Sequence, residues 1–476
     1  MVTGAVLGCG ATPQRAEPRS RRIVVVGAGL SGLAIAYALH KQGREVLVLE
    51  AQARVGGRIR TIRGFRNDLH VEAGAAHLLG DNVNALLEEL AVPLVDAPRR
   101  PRLAEVSVLR GERRIIEPGD DAPAQIEMSA EDAALGEDGR RAKYLRVAAS
   151  IDPDALAWPA EIAALDQVSM GAFLRGQGAS PGVIADANAT FPLGDGIETV
   201  SALAVLRELA SLDLEIRRAR EAPPTGKRAG PRRIAGGMDS LPRALAARLG
   251  DRVVLRTEVV RIAHRHDGAT LTVSDAGGTH TLDAAAVILT MPFPVLRRIE
   301  VSPAWSALKA RAIAELEMSP VTRVWLEADT RFWNDEGLSG RAETDLAIGT
   351  INHETDQLGT PGGVLGMYAA QGRARHFAAL APDARIAAML AGCEPVFPGL
   401  MQHVIHGDSV AWEHEPFARG GYAWWKPGQL TELLAAAIAP EGVVHFAGDG
   451  TSARPGWMRG ALASATRVLG ELEARG

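Results

Sequence analysis

The stretch RIVVVGAGLSGLAIAYALHKQGREVLVLE, Arg22 to Glu50, decides the fold. Ile23 to Val26 is β-branched with no polar alternation, as a strand buried on both faces requires. Leu30 to His40 carries apolar residues at helical spacing, and Gly43 stands where a helix end wants a left-handed residue. Val46 to Leu49 returns as a second strand. Between the first strand and the helix lies Gly27-Ala28-Gly29-Leu30-Ser31-Gly32, a G-x-G-x-x-G string. In this context the first glycine makes the tight turn, the second lets backbone amides approach a pyrophosphate, and the third lets helix pack on strand. The helix N-terminus favours the anion. Gly27, Gly29, Ser31 and Gly32 are therefore the expected phosphate-binding residues. Glu50 ends the second strand eighteen positions after Gly32, where a carboxylate accepts ribose hydroxyls.

Around this unit the chain runs to 476 residues, beyond the size of one ordinary hydrophobic core, so two domains are expected. With 47% hydrophobic and 23% charged residues it reads as globular rather than disordered. A net charge of −5 leaves no basic footprint for nucleic acid. The cysteines, Cys9 and Cys393, form neither a disulfide framework nor a zinc pair, and no metal site is expected. No apolar run is long enough to span a bilayer. Residues 1–20 form an irregular tail in which Val6-Leu7-Gly8-Cys9 faintly resembles a lipoprotein cleavage box but lacks a basic start. A cytoplasmic protein is the expectation, with export or lipid anchoring the alternative.

Asp81 is expected to cap a helix through Leu90. Gly119 to Arg141, acidic and Ala/Gly-rich, reads as a solvated loop or surface helix, and Arg218 to Arg233 as a linker. Strands are expected at Arg252–Leu255, Glu258–Ala263, Thr270–Ser274, Thr279–Leu282, Ala286–Thr290, Val321–Glu327 and Val443–Ala447, with helices at Asp383–Ala391 and Trp457–Leu469. The nucleotide-type strands lie in separated blocks. Residues 21–80, 228–300 and 415–476 are assigned to a dinucleotide-binding domain, and 81–227 and 301–414 to a substrate domain threaded between them.

Arg54-Val55-Gly56-Gly57-Arg58 follows Glu50 closely and puts two glycines and two guanidinium groups against the same pyrophosphate. Further along stand Gly236-Gly237-Met238-Asp239-Ser240-Leu241, and Phe446-Ala447-Gly448-Asp449 leading to Gly456-Trp457-Met458-Arg459-Gly460-Ala461. In these ordered motifs the chain resembles the flavin-dependent amine oxidases, which include monoamine, polyamine and L-amino-acid oxidases, from about Arg22 to Leu469. The resemblance implies an α/β flavoprotein of two domains, one Rossmann-like and FAD-binding, the other a mixed α+β substrate domain. It implies that Glu50 binds ribose, that Gly57 and Arg58 lie near the phosphates and flavin, and that Val259 contacts the adenine. Gly448 and Asp449 would reach the ribityl chain and pyrophosphate. Met458 would lie under the flavin pyrimidine, where a helix N-terminus favours the negative charge of the reduced ring. Gly74 and Ala75, in Glu72-Ala73-Gly74-Ala75-Ala76-His77, join the cofactor set. Trp412 would contact the flavin, with Tyr422 ten residues on and Trp457 as the two walls of an aromatic cage that holds an amine by cation–π attraction.

Three departures qualify the resemblance. Monoamine oxidases attach flavin through a Cys just before the cage Tyr, and here Gly421 stands there, so non-covalent FAD is expected. Most members carry a Lys ten residues before a Trp, and counting back from Trp333 gives Arg323. L-amino-acid oxidases bind the substrate carboxylate with an Arg where this chain has His77. The catalytic set is thus Arg323, Tyr422, Trp457 and His77. The reading is an oxidase that passes hydride from the carbon α to an amine onto flavin N5, with the imine hydrolysed afterwards and oxygen as acceptor. The alternatives are an L-amino-acid oxidase with another carboxylate clamp, a dehydrogenase with another electron acceptor, and a flavin-binding scaffold without turnover. Partners are a small amine or amino acid and the electron acceptor; a homodimer is left open.

Overall fold

The computed structural model describes residues 21–78, 80–96, 103–120, 126–221, 232–355, 361–452 and 455–475. The tail with its Val6–Cys9 box and most of the Arg218–Arg233 linker lie outside them. Ile23–Val26 is the central strand of a five-stranded, wholly parallel sheet, flanked by Val46–Leu49 and Val253–Val254 on one side and by Ala286–Leu289 and Val444–Phe446 on the other. The absence of polar alternation is explained by what lies on each face. Ile23 and Val25 enter one core with Leu33, Leu241, Leu245 and Val468, while Val24 and Val26 enter another with Leu271, Leu289, Leu206 and Leu433. The helix Leu30–Lys41 packs against Ser240–Leu249 and Met458–Glu473 over the first face. This is the doubly wound arrangement that the opening stretch implies, with crevices outside the carboxyl ends of the strands.

A four-stranded sheet follows in the order Gly278–Ala284, Gly268–Asp275, Glu258–Arg265, Glu300–Ser302. The second large sheet has seven strands in the order Val404–Ala411, Val321–Ala328, Gly363–Ala370, Ile351–His353, Leu338–Thr344, Ala104–Leu109, Glu112–Ile116. It is mostly antiparallel, with one parallel pairing between Leu338–Thr344 and Ala104–Leu109. A 20-residue helix, Ala202–Glu221, sends Leu203 and Leu206 into the core beneath the first sheet.

Two local expectations change. Asp81 is the first residue of the helix Asp81–Glu89 rather than its cap, because Gly80 occupies the cap position and no side chain bonds the first amides. In the acidic stretch a helix, Ala130–Tyr144, is capped by Ser129 Oγ, and Asp132 is buried to accept the Tyr144 hydroxyl at 2.6 Å. That carboxylate anchors the helix and is not merely a solvated face.

Candidate active site

One cavity of about 610 Å³ runs from the glycine turn to the face of the seven-stranded sheet. At its first end the chain has no room for side chains in some places and conspicuous room in another. A Cβ on Gly32 would stand 2.1 Å from the Gly27 carbonyl, so helix and strand close only around glycine. A Cβ on Gly29 would meet nothing within 4 Å, and Gly29 borders the cavity together with Ser31 and Gly57. Here is an open cradle at a helix N-terminus, the shape and polarity a pyrophosphate needs.

Glu50, 5% exposed, accepts the Ala28 amide at 2.7 Å and the Gln52 amide at 2.9 Å. Burial raises its pKa, and the two backbone bonds oppose the rise. The carboxylate therefore fixes the glycine turn while still bordering the cavity. Val259, buried at the start of Glu258–Arg265, lines the same end.

Arg58 lines the cavity and makes a two-pronged ion pair with Asp449, and its Nη1 also donates to the Gly421 carbonyl at 2.7 Å. Burial pushes Asp449 up, but the Arg58 guanidinium and the Gly456 amide outweigh it and hold the carboxyl low. The Gly448 amide is tied to Ser464 Oγ at 2.9 Å. Gly74 and Ala75 border the cavity, and Trp412 donates its indole N–H to the Ala73 carbonyl at 2.8 Å. Met458, buried, opens the helix Met458–Glu473 and borders the cavity beside Trp457. Thirteen of the fourteen expected cofactor residues thus border one cavity; Gly32 does not, because it lies in the helix–strand contact behind the turn. Their donors, acceptors and open cradle fit a dinucleotide laid along it.

The far end holds the expected catalytic set. Tyr422 donates its hydroxyl to the Pro192 carbonyl at 2.7 Å and stands 3.2 Å from the Tyr368 hydroxyl. Burial raises both phenols, Tyr422 well above its ordinary value, so both remain neutral. Tyr368 and Pro192 escaped sequence analysis: strand pairing of Arg323 with Tyr368 places this second phenol, and no motif announces it. Trp457 donates its indole N–H to Glu208 at 2.6 Å. Arg323, 6% exposed, donates to the Glu72 carbonyl and to Glu354 at 2.5 Å, and its guanidinium lies 5.9 Å from the Tyr368 ring. Glu354 is a further cavity residue that sequence reading missed.

His77 stands on the cavity wall, and desolvation together with Arg233 and Arg323 lowers its pKa, so the ring is neutral near pH 7. Glu72, below it, is pushed up to about 7 by burial, although it accepts the Met238 amide and the Thr61 hydroxyl, each at 2.9 Å.

A match to flavin-containing amine oxidoreductases spans residues 30–468. The chain belongs to that family. This amine oxidoreductase is 27% identical to a provisionally named L-amino-acid oxidase, YobN, of Bacillus subtilis, over 96% of this chain and 95% of that one. It is 25% identical to an L-glutamate oxidase precursor of Streptomyces viridosporus, over 97% and 87% of the two chains. Among solved structures it resembles a wild-type putrescine oxidase bound to putrescine, with 26% identity, a TM-score of 0.79 and coverage of 95% and 99%. Family membership makes it a flavin enzyme acting on amines or amino acids. Among its described residues no helix is long and apolar enough to cross a membrane.

Proposed function

We propose that this enzyme oxidises the C–N bond of a small amine or amino acid using non-covalently held FAD, with oxygen as electron acceptor. The observation that carries the reading is the single cavity that joins the glycine cradle to a chamber walled by Tyr422, Tyr368 and Trp457. FAD, when bound, supplies the hydride acceptor at its N5 atom. Residues 27–32, Glu50, Arg58, Asp449 and Met458 would hold it. Gly421 stands where an attachment Cys would be, which supports a non-covalent cofactor.

The chain's own work is then positioning and desolvation. Two phenols, neutral at physiological pH, and the indole present ring faces to an amine and exclude water. An ammonium brought into this chamber loses solvation, which favours its neutral form and frees the nitrogen lone pair. The same walls aim the α-carbon, whose hydride leaves with two electrons, and the imine so formed takes up water to give a carbonyl compound and ammonia. Oxygen accepts the two electrons and two protons and leaves as hydrogen peroxide. Arg323 keeps a cation in the chamber wall, but Glu354 and the Glu72 carbonyl each engage one of its terminal nitrogens, while its buried Nε makes no hydrogen bond. That engagement favours a second reading, in which oxygen reacts slowly and another acceptor takes the electrons. Aerobic incubation with amines and amino acids tests the proposal: peroxide and ammonia in equal amounts support it. Ammonia only when an artificial acceptor is added would establish the dehydrogenase instead.

A further inference from the structure

We propose that Glu208 is a positioning residue for the substrate chamber, acting through the indole of Trp457. The inference rests on the reading of Trp457 as a chamber wall. Glu208 stands on the helix Ala202–Glu221, behind that wall and away from the cavity lining. Its Oε1 accepts the Trp457 indole N–H at 2.6 Å, short for a bond from nitrogen to a carboxylate. A tryptophan ring has two free torsions, and fixing its N–H fixes the plane it shows to the cavity.

The surroundings make this bond a built feature. The same oxygen lies 3.5 Å from Arg459, which is 2% exposed and also donates to Ser211 Oγ at 3.1 Å. Glu215, one turn further, stands 4.0 Å from the same guanidinium. Glu208, Ser211 and Glu215 recur at helical spacing, so one helix face grips both residues that flank Met458. Arg459 lies 5.5 Å from the Trp457 ring and supports it from behind. On its other side the Arg459 carbonyl accepts Asn82 Nδ2 at 3.0 Å. Segments from two distant parts of the chain thus converge on residues 457–459.

Two roles for Glu208 are separable by chemistry. As partner of Arg459 it needs its charge, whereas as holder of the indole it needs an acceptor oxygen. Glu208→Gln keeps the acceptor and drops the charge; Glu208→Leu drops both. Trp457→Phe removes the donor. The first readout is the set of indole N–H resonances of the eight tryptophans in the holoenzyme, in which Trp457→Phe identifies one peak. That peak should lie apart in the parent, move in Glu208→Leu, and stay near its parent position in Glu208→Gln. The second readout is anaerobic flavin reduction by whichever amine or amino acid the aerobic panel selects. Glu208→Leu should raise the half-saturating substrate concentration about tenfold, the scale of one lost charge-assisted bond. Glu208→Gln should restore most of it. In a Trp457→Phe background Glu208→Leu should add nothing. Additive effects, a Gln variant as impaired as Leu, or an unmoved peak would each overturn the proposal. A panel with no active substrate would instead count against the proposed function, and the resonance shift would still decide the positioning role.

Discussion

Glu50→Gln tests how the cofactor end is built. In the parent both carboxylate oxygens accept backbone amides, from Ala28 at 2.7 Å and Gln52 at 2.9 Å, and the group is 5% exposed. A glutamine has only one oxygen to offer. Whichever way the amide turns, one N–H of the pair, the buried one of Ala28 or the half-buried one of Gln52, then faces an NH2 donor. Losing a bond to a charged acceptor costs about 1.5–3 kcal/mol. The low end applies here, because burial already disfavours the carboxylate charge and the neutral amide recovers part of that penalty. Removing the cofactor and unfolding the apoprotein in urea should therefore show a loss near 1.5 kcal/mol. Titrating FAD back, followed by quenching of its fluorescence, should give an affinity about tenfold weaker. An affinity within about twofold of the parent, with an unchanged unfolding midpoint, would refute the assignment of Glu50 to both the turn and the nucleotide.

Acid precipitation should leave the yellow colour in the supernatant as FAD; flavin in the pellet would mean covalent attachment. Tyr422→Ala removes a wall and the acceptor of Tyr368, so anaerobic flavin reduction should slow roughly 2- to 30-fold with the bound-flavin spectrum intact. Equal rates would take Tyr422 out of the chamber. Arg323→Lys should speed oxygen-dependent reoxidation of pre-reduced enzyme, since a lysine cannot occupy Glu354 and the Glu72 carbonyl with the same fork; rapid reoxidation by the parent, with no gain in the variant, would leave a plain oxidase. Glu72 has a folded-state pKa raised to about 7 from an ordinary 4.5, so its contribution to stability is complete below pH 4.5 and is lost as pH rises through 7. Thermal unfolding across that interval should decline more steeply for the parent than for Glu72→Gln, and parallel curves would place the titration elsewhere.

Much of the cofactor end is legible because its constraints are local. Gly27 to Gly32, Glu50 and the Arg54–Arg58 run are each tied to a turn or strand end within a few residues, so spacing alone brings them to one crevice. The substrate end is built across the chain. Tyr368 reaches Tyr422 only because its strand pairs residue for residue with the one carrying Arg323. Glu354 meets Arg323 from the loop after Ile351–His353, and Glu208 meets Trp457 from a helix 249 residues away in sequence. No periodicity reports such contacts. The seven-stranded sheet was legible only in part: Val321–Ala328 is buried throughout and reads as a strand, but Leu338–Thr344, Ile351–His353 and Glu112–Ile116 mix polar and apolar residues on short runs. Asp132 shows the converse error, in which a charge in an acidic stretch reads as solvated although it is buried and accepts the hydroxyl of Tyr144 at the other end of the same helix.

The central claim is that the cavity brings the α-carbon of an amine to bound flavin for hydride loss. Its most direct test is anaerobic mixing of the holoenzyme with a substrate from the panel and with the same substrate deuterated at the α-carbon, while flavin absorbance is followed in a stopped-flow instrument. Full bleaching, one ammonia released per flavin, and slower bleaching with deuterium are expected. Flavin that stays oxidised with every amine and amino acid, or that bleaches without releasing ammonia, would contradict it.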